Sequence, residues 1–439
     1  MKVLKFGGTS VGQPERMRLV ARLITLDPEK KIVVLSALSG TTNTLVEIGE
    51  NLFENNIEKA DEIIENLYNH YQDFINDLLS DILFQNKARD IIDKHFLFLK
   101  SLTRSFFNNR LNNELLAQGE LMSTKLFQLL LEERKMNSNL IPALDFMYID
   151  KDKEPDVAFI RNHVNPILDQ NKDIDILITQ GYICRNHDGE IDNLQRGGSD
   201  YTATLLGAAT DSTEVQIWTD IDGMHNNDPR IVDKTYPISE LSFNEASELA
   251  YFGAKILHPS SIWPCQKFNV PARLKNTMDP EADGTLISSK EDEDKIKAIA
   301  AKDGITVIKI KSSRMLMAYG FLRKIFQIFE DFKTPIDMIT TSEVAVSLTI
   351  DDNSRMAEIS EELNQFGEVM VDTNQSIVCI VGNKIIEKEE ILQKVFKALE
   401  EIPVRMISYG GSKYNISILV DSIHKEKSLN ALNEHVFYL

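Results

Sequence analysis

A lysine at position 5 interrupts the apolar run Val3-Leu4-Lys5-Phe6 and stands two residues ahead of Gly7-Gly8-Thr9-Ser10. An amine buried in a strand without an anionic partner is costly, so Lys5 is expected to face an anionic ligand. The plainer alternative is a sheet edge with the amine in water. The glycines free backbone N–H groups to approach a phosphate, and the helix that follows adds its positive end. The turn is neither a Walker A sequence nor the dinucleotide pattern GxGxxG. A second candidate is Leu194–Thr202, where Arg196 offers a planar fork to a carboxylate or phosphate and Asp200 can orient cations or magnesium. The same stretch also fits a tight turn capped by Ser199 or Asp200 before a helix over Thr202–Ala209. Trp218-Thr219-Asp220 closes an apolar strand with a hydroxyl and a carboxylate, at the end where open α/β sheets bind ligands. Arg230 and Lys255 follow, in Asp228-Pro229-Arg230 and Phe252-Gly253-Ala254-Lys255. If Lys5, Arg196, Arg230 and Lys255 gather in the loops of one sheet, they make a positive pocket. Such a pocket suits phosphoryl transfer, where the protein positions reactants and neutralises spread charge. No GxSxG elbow supports serine-type hydrolysis, and the eight histidines show no HExxH spacing for zinc.

The elements that would position these residues alternate. The first six residues read as a strand, Pro14 opens a helix with Met17, Val20, Leu23 and Ile24 at helical spacing, and Ile32–Leu35 is a second strand running into the small-residue loop Ser36–Asn43. The chain is helical in character from about Ile57 to Lys135, and apolar strands return at Ile174–Thr179 and Val215–Thr219. This order predicts a mostly parallel sheet sandwiched by helices over residues 1–290. After the acidic stretch Ser289–Asp294 the pattern changes to short strands and helices. Asp337-Met338-Ile339-Thr340 is echoed by Arg405-Met406-Ile407-Ser408, which predicts two copies of one small α+β unit, over 297–368 and 369–439, with interleaving as an alternative. The chain has 439 residues, enough for two or three domains. Its 48 Lys and Arg against 67 Asp and Glu leave a formal charge of −19, which argues against nucleic acid or an anionic membrane as partner. Three cysteines without CxxC spacing give no disulfide framework, and neither a signal core nor a long apolar run appears, so the expected compartment is cytoplasmic.

Lys5–Ser10, the loop Ser36–Asn43, Gly119-Glu120, Gln195–Asp200, Trp218–Asp220 and Phe252–Lys255 together resemble aspartokinases, in that family's order and over essentially the whole chain. The resemblance implies an amino-acid-kinase fold followed by paired ferredoxin-like ACT domains, in the monofunctional form. It implies phosphorylation of the β-carboxylate of L-aspartate by ATP with Mg2+, the first step toward lysine, threonine and methionine. By position, Lys5 would stabilise the transferring phosphoryl group, with Asp200 organising the lysine or magnesium. Gly7, Gly8, Ser10 and Ser36 would hold the ATP phosphates, and Thr219, Asp220, His225, Arg230 and Lys255 the rest of the nucleotide. Arg196 would clamp the aspartate α-carboxylate, Glu120 would receive its ammonium, and Thr42, Ser199 and Tyr182 would line the substrate. Met315, Phe321, Leu322, Asp337, Thr341, Ser342 and Glu343 resemble the effector loops of lysine-inhibited members, which implies lysine as effector, with threonine as the alternative. Such sites lie between chains, so a homodimer is implied, with a tetramer as the larger alternative. Three departures stand out: His225 replaces a tyrosine, Asn226-Asn227 replace a hydroxyl pair, and Ala318 stands where a serine is expected. A shortened stretch over Asp145–Asp156 also loses basic residues.

Overall fold

A computed structural model describes residues 1–194, 197–253, 257–291, 295–312, 315 and 319–438. The chain forms two compact units. The first is Met1–Met224 with Leu257–Ser289, and the second is His225–Ile256 with Lys290–Leu439. The stretch His225–Ile256, expected within the 1–290 domain, therefore groups with the C-terminal residues.

In the first unit, strands are ordered Ser138–Leu140, Ile176–Gln180, Lys31–Leu35, Lys2–Phe6, Glu214–Thr219, Ala272–Asn276 and Thr285–Ser288. Neighbours run parallel except the last pair, which is antiparallel. All five residues of Lys31–Leu35 are buried, as expected of a parallel strand covered on both faces. The helical stretch resolves into Ile57–Leu78, Ile82–Leu102 and Asn109–Glu133. Asp81 and Asn108 start the second and third by accepting the N–H groups of Leu83 and Leu111. Tyr71, Phe96 and Phe127 pack inside, continuous with Phe6, Val33 and Leu35 of the sheet.

The second unit contains one antiparallel sheet, ordered Ile339–Thr341, Ala345–Ile350, Ile296–Lys311, Glu368–Gly382, Asn415–Asp421 and Val404–Ser408. The two echoed segments form its opposite edges. The two copies are interleaved and do not follow one another at residue 368. Strand Ile296–Lys311 gives Ile299 to one core, with Val378, Ile380, Val395 and Leu432, and gives Ile308 and Ile310 to the other, with Ile325, Leu348 and Leu363. Strand Glu368–Gly382 is divided likewise, with Val369 against one core and Val378 in the other. Each of these two long strands thus contributes residues to both cores.

Candidate active site and effector site

Lys5 lies in the middle strand of three, with its backbone opposite Val34 and Ile217. The loops leaving the carboxyl ends of these strands are tied together: Ser36 N–H donates to Phe6 O at 3.2 Å, Gly7 N–H to Trp218 O at 3.4 Å, and Gly181 N–H to Leu35 O at 2.9 Å. Lys5 Nζ lies 2.6 Å from Asp200 Oδ1, with the two side chains 12% and 14% exposed. The contact is an ion pair without aligned hydrogen-bond geometry. A Cβ on Gly7 would sit 3.3 Å from the Lys5 amine, so glycine leaves that amine its space. The helix bearing Asp200 begins at Gly198, four residues earlier than the sequence suggests. Ser199 and Asp200 thus lie within its first turn, after the N-cap residue Gly197. The turn is made instead by Gly197, whose φ of 75° is left-handed and suited to glycine.

Glu120 lies on the helix Asn109–Glu133 and is 3% exposed. Its Oε1 accepts the Ala37 N–H at 3.2 Å, while Oε2 is buried without a hydrogen-bond partner. Burial pushes this carboxyl up to about 8. The helix reaches the Ser36–Asn43 loop because residue 119 is glycine: a Cβ there would lie 2.8 Å from Ala37 Cβ. Ser123 Oγ donates to Ser36 O at 2.8 Å and fixes the same approach. Tyr182 holds a φ of 66°, and its N–H donates to Thr202 Oγ1 at 3.0 Å. Burial, with the charges of Glu120 and Asp192, raises its phenol above the ordinary value. Thr42 is half-buried in the first turn of the helix Thr41–Phe53. A buried acid with one bare oxygen suits an ammonium group. A lysine paired to a carboxylate beside a glycine turn suits phosphoryl charge.

A family model for the amino acid kinase family matches residues 1–276, and one for the ACT domain matches residues 378–436. Lysine-sensitive aspartokinase 3 of Escherichia coli is 33% identical over 451 residues, covering 99% of each chain. The chain belongs to the aspartokinase family. Among solved structures, E. coli aspartokinase III in complex with aspartate and ADP, described as the R-state, matches with a TM-score of 0.87 at 32% identity, covering 100% of both chains. The same enzyme with lysine and aspartate, described as the T-state, matches with a TM-score of 0.83 at 32% identity, over 100% of this chain and 99% of that one.

As an aspartokinase, the chain gathers Lys5, Gly7, Gly8, Ser36, Thr42, Glu120, Tyr182, Ser199 and Asp200 within its first unit, with Thr219 and the exposed Asp220 at the end of the neighbouring strand. Thr219 Oγ1 donates to Asp220 Oδ1 at 3.1 Å. Ser10 does not present its hydroxyl on the turn. It is 1% exposed and lies 2.8 Å from Thr277 Oγ1, so it anchors the turn from behind. Arg196 and Lys255 lie outside the described residues, as do Leu316 and Ala318 of the effector loop. His225 and Arg230 belong to the second unit. There His225 Nδ1 sits 3.3 Å from Thr235 Oγ1. Arg230 forks onto Asp228 at 2.9 and 2.7 Å and holds that carboxyl below its usual range. The Asn226-Asn227 pair is structural: both amides donate to Asn433 Oδ1 at 3.3 Å.

Of the expected effector residues, Met315 and Leu322 pack against the core that contains Phe321. Thr341, Ser342 and Glu343 are exposed on the turn between the strands Ile339–Thr341 and Ala345–Ile350, which Ser342 N–H closes by donating to Ala345 O at 2.8 Å. Asp337 enters the same edge, its N–H donating to Thr349 O at 2.9 Å, and its side chain is 3% exposed. Sequence reasoning missed Thr277, Lys302 and Tyr251. Only the first had a local signal, as a hydroxyl directly after the strand Ala272–Asn276.

Proposed function

We propose that this chain transfers the γ-phosphoryl group of ATP to the β-carboxylate of L-aspartate, and that lysine bound in the second unit inhibits the reaction. The pairing of Lys5 with Asp200 beside the glycine turn carries the reading. A carboxylate with an ordinary pKa near 4 is already ionised at neutral pH, so no general base is required. The difficulty is to bring two anions together, and this chain's residues address it from both sides. Glu120 takes the ammonium of aspartate on its bare oxygen, with Tyr182, Thr42 and Ser199 bounding the substrate and Arg196 holding its α-carboxylate. Gly7, Gly8 and Ser36 approach the phosphates, and Lys5 meets the charge that grows as the phosphoryl group moves. Thr219 and Asp220 hold the remainder of the nucleotide.

Among the described residues no cluster of three or more His, Cys, Asp or Glu side chains could hold a metal alone. One carboxylate beside nucleotide phosphates is the donor set magnesium accepts, and Asp200 supplies it. When bound, the ion would neutralise phosphate charge. Among the described residues no helix is long and apolar enough to cross a membrane. We assign the enzyme to the cytoplasm and to a homodimer formed through the paired sheet units.

A coupled ADP-release assay tests the reading. ADP should form with L-aspartate and not with L-glutamate or N-acetylglutamate, hydroxylamine should trap the acyl phosphate, and lysine should suppress the rate. Turnover of glutamate in preference to aspartate would refute the substrate assignment.

A further inference from the structure

Four side chains from separate stretches of the second unit meet at the end of the strand Ala345–Ile350. Lys302 Nζ lies 2.7 Å from Asp337 Oδ1 and 2.9 Å from Asp351 Oδ2. The same amine stands 4.7 Å from the ring centroid of Tyr251, whose hydroxyl donates to Asp337 Oδ1 at 3.0 Å. Asp337 Oδ1 thus receives two donors, while Oδ2 is buried and has no hydrogen-bond partner. A carboxylate offers about four acceptor positions and an ammonium three donors, so this acid is half used. Burial raises the Asp337 carboxyl, which makes a cation there necessary for the ionised form.

We propose that Lys302 is the resident occupant of an ammonium subsite at Asp337, and that the primary ammonium group of a small amino-acid effector binds by displacing it. This rests on the effector reading given above. Asp351 is what makes the exchange feasible. It is 38% exposed against 3% for Asp337, so Lys302 can swing on its flexible stem to the outer carboxylate and remain paired. The exchange does not stay local. Tyr251 is the last residue of the helix Phe243–Tyr251, and it loses the cation over its ring when Lys302 leaves. Two residues on, Gly253 adopts a φ of 118° and lies so close to the strand Ile296–Lys311 that a Cβ would fall 2.0 Å from Ala301 O, next to Lys302. Gly253 is therefore seated on the peptide that joins Ala301 to Lys302, the residue whose side chain the effector moves.

Calorimetric titration of the full chain with L-lysine, L-threonine and L-methionine tests the exchange. Lys302→Met removes the competitor and should tighten binding of whichever amino acid the wild type binds by about tenfold, the factor for one ion pair worth about 1.4 kcal/mol. Asp351→Asn removes the retreat position and should weaken binding severalfold. Adding Asp351→Asn to Lys302→Met should change nothing further, because no lysine remains to retreat. If Lys302→Met binds no more tightly than wild type, or if Asp351→Asn acts equally in both backgrounds, the exchange is overturned. If the wild type binds none of the three amino acids, the effector reading fails and the exchange fails with it, a result distinct from the other two.

Discussion

Glu120→Gln tests the burial of this acid through the pH dependence of stability and its binding role through kcat/KM for aspartate. The carboxyl has an ordinary value of 4.5 and is pushed up to about 8 by burial in the folded chain. Folding therefore favours its protonated form. The advantage is complete below about 4.5 and is lost as pH rises toward 8, where the buried group must ionise. At about 1.4 kcal/mol per unit, the ionised acid costs the free enzyme roughly 3 kcal/mol more at pH 8 than at pH 5. Glutamine keeps the bond from Ala37 N–H and cannot ionise, but its amide leaves a buried donor unpaired at about 1–3 kcal/mol. The variant should then be less stable than wild type at pH 5 and should gain on it steadily, reaching parity or better by pH 8. Thermal melting of the ligand-free proteins across that range measures the gap. The same substitution removes the charge that meets the aspartate ammonium, worth about 1.5–3 kcal/mol, so kcat/KM for aspartate should fall by roughly 10- to 150-fold. A stability gap that is constant from pH 5 to pH 8, or an unchanged kcat/KM for aspartate, would refute this account of Glu120.

Lys5→Ala should lower kcat by about 10²–10³ while moving the KM for ATP little, because the charge it meets develops in the transition state; an equal loss in ATP affinity would contradict that role. Gly119→Ala places a methyl 2.8 Å from Ala37 Cβ. It should cost about 1–3 kcal/mol of stability and raise the KM for aspartate by pushing Glu120 off the loop, as melting and kinetics on one preparation would show. Ser10→Ala removes the buried bond to Thr277 and should lower stability by about 1–2 kcal/mol with kcat unchanged within twofold; a large kcat loss at full stability would put the hydroxyl on the nucleotide after all.

What the sequence reveals and what it hides follow from how far apart the interacting residues stand. Lys5 is legible because a cation inside a buried parallel strand contradicts its surroundings, and the contradiction is local. Glu120 is legible only through family resemblance, since a glutamate in a long helix is ordinary until the burial of both its oxygens is known. Ser10 misleads for the same reason in reverse: a hydroxyl after two glycines looks like a phosphate ligand, and the threonine that engages it is 267 residues away. The interleaved sheet is hidden by two bulges. Lys302-Asp303-Gly304 reads as a break before a strand, and Thr373-Asn374-Gln375-Ser376 as a turn between two strands. In the fold these stretches are irregularities within single long strands: the register slips between Lys302 and Ile305, opposite Gln375, and Gly304 and Asn374 take positive φ. A bulge keeps both strands continuous while turning their side chains from one core to the other, so one strand can serve two cores. That switch also explains why Lys302 stands where it does. It is the last residue before the slip, where the strand leaves one core and has not entered the next, and a lysine there can reach the acids at the edge of the neighbouring half. Lys302, the residue proposed to yield to the effector, thus sits at the irregularity that local pattern reading interprets as a loop.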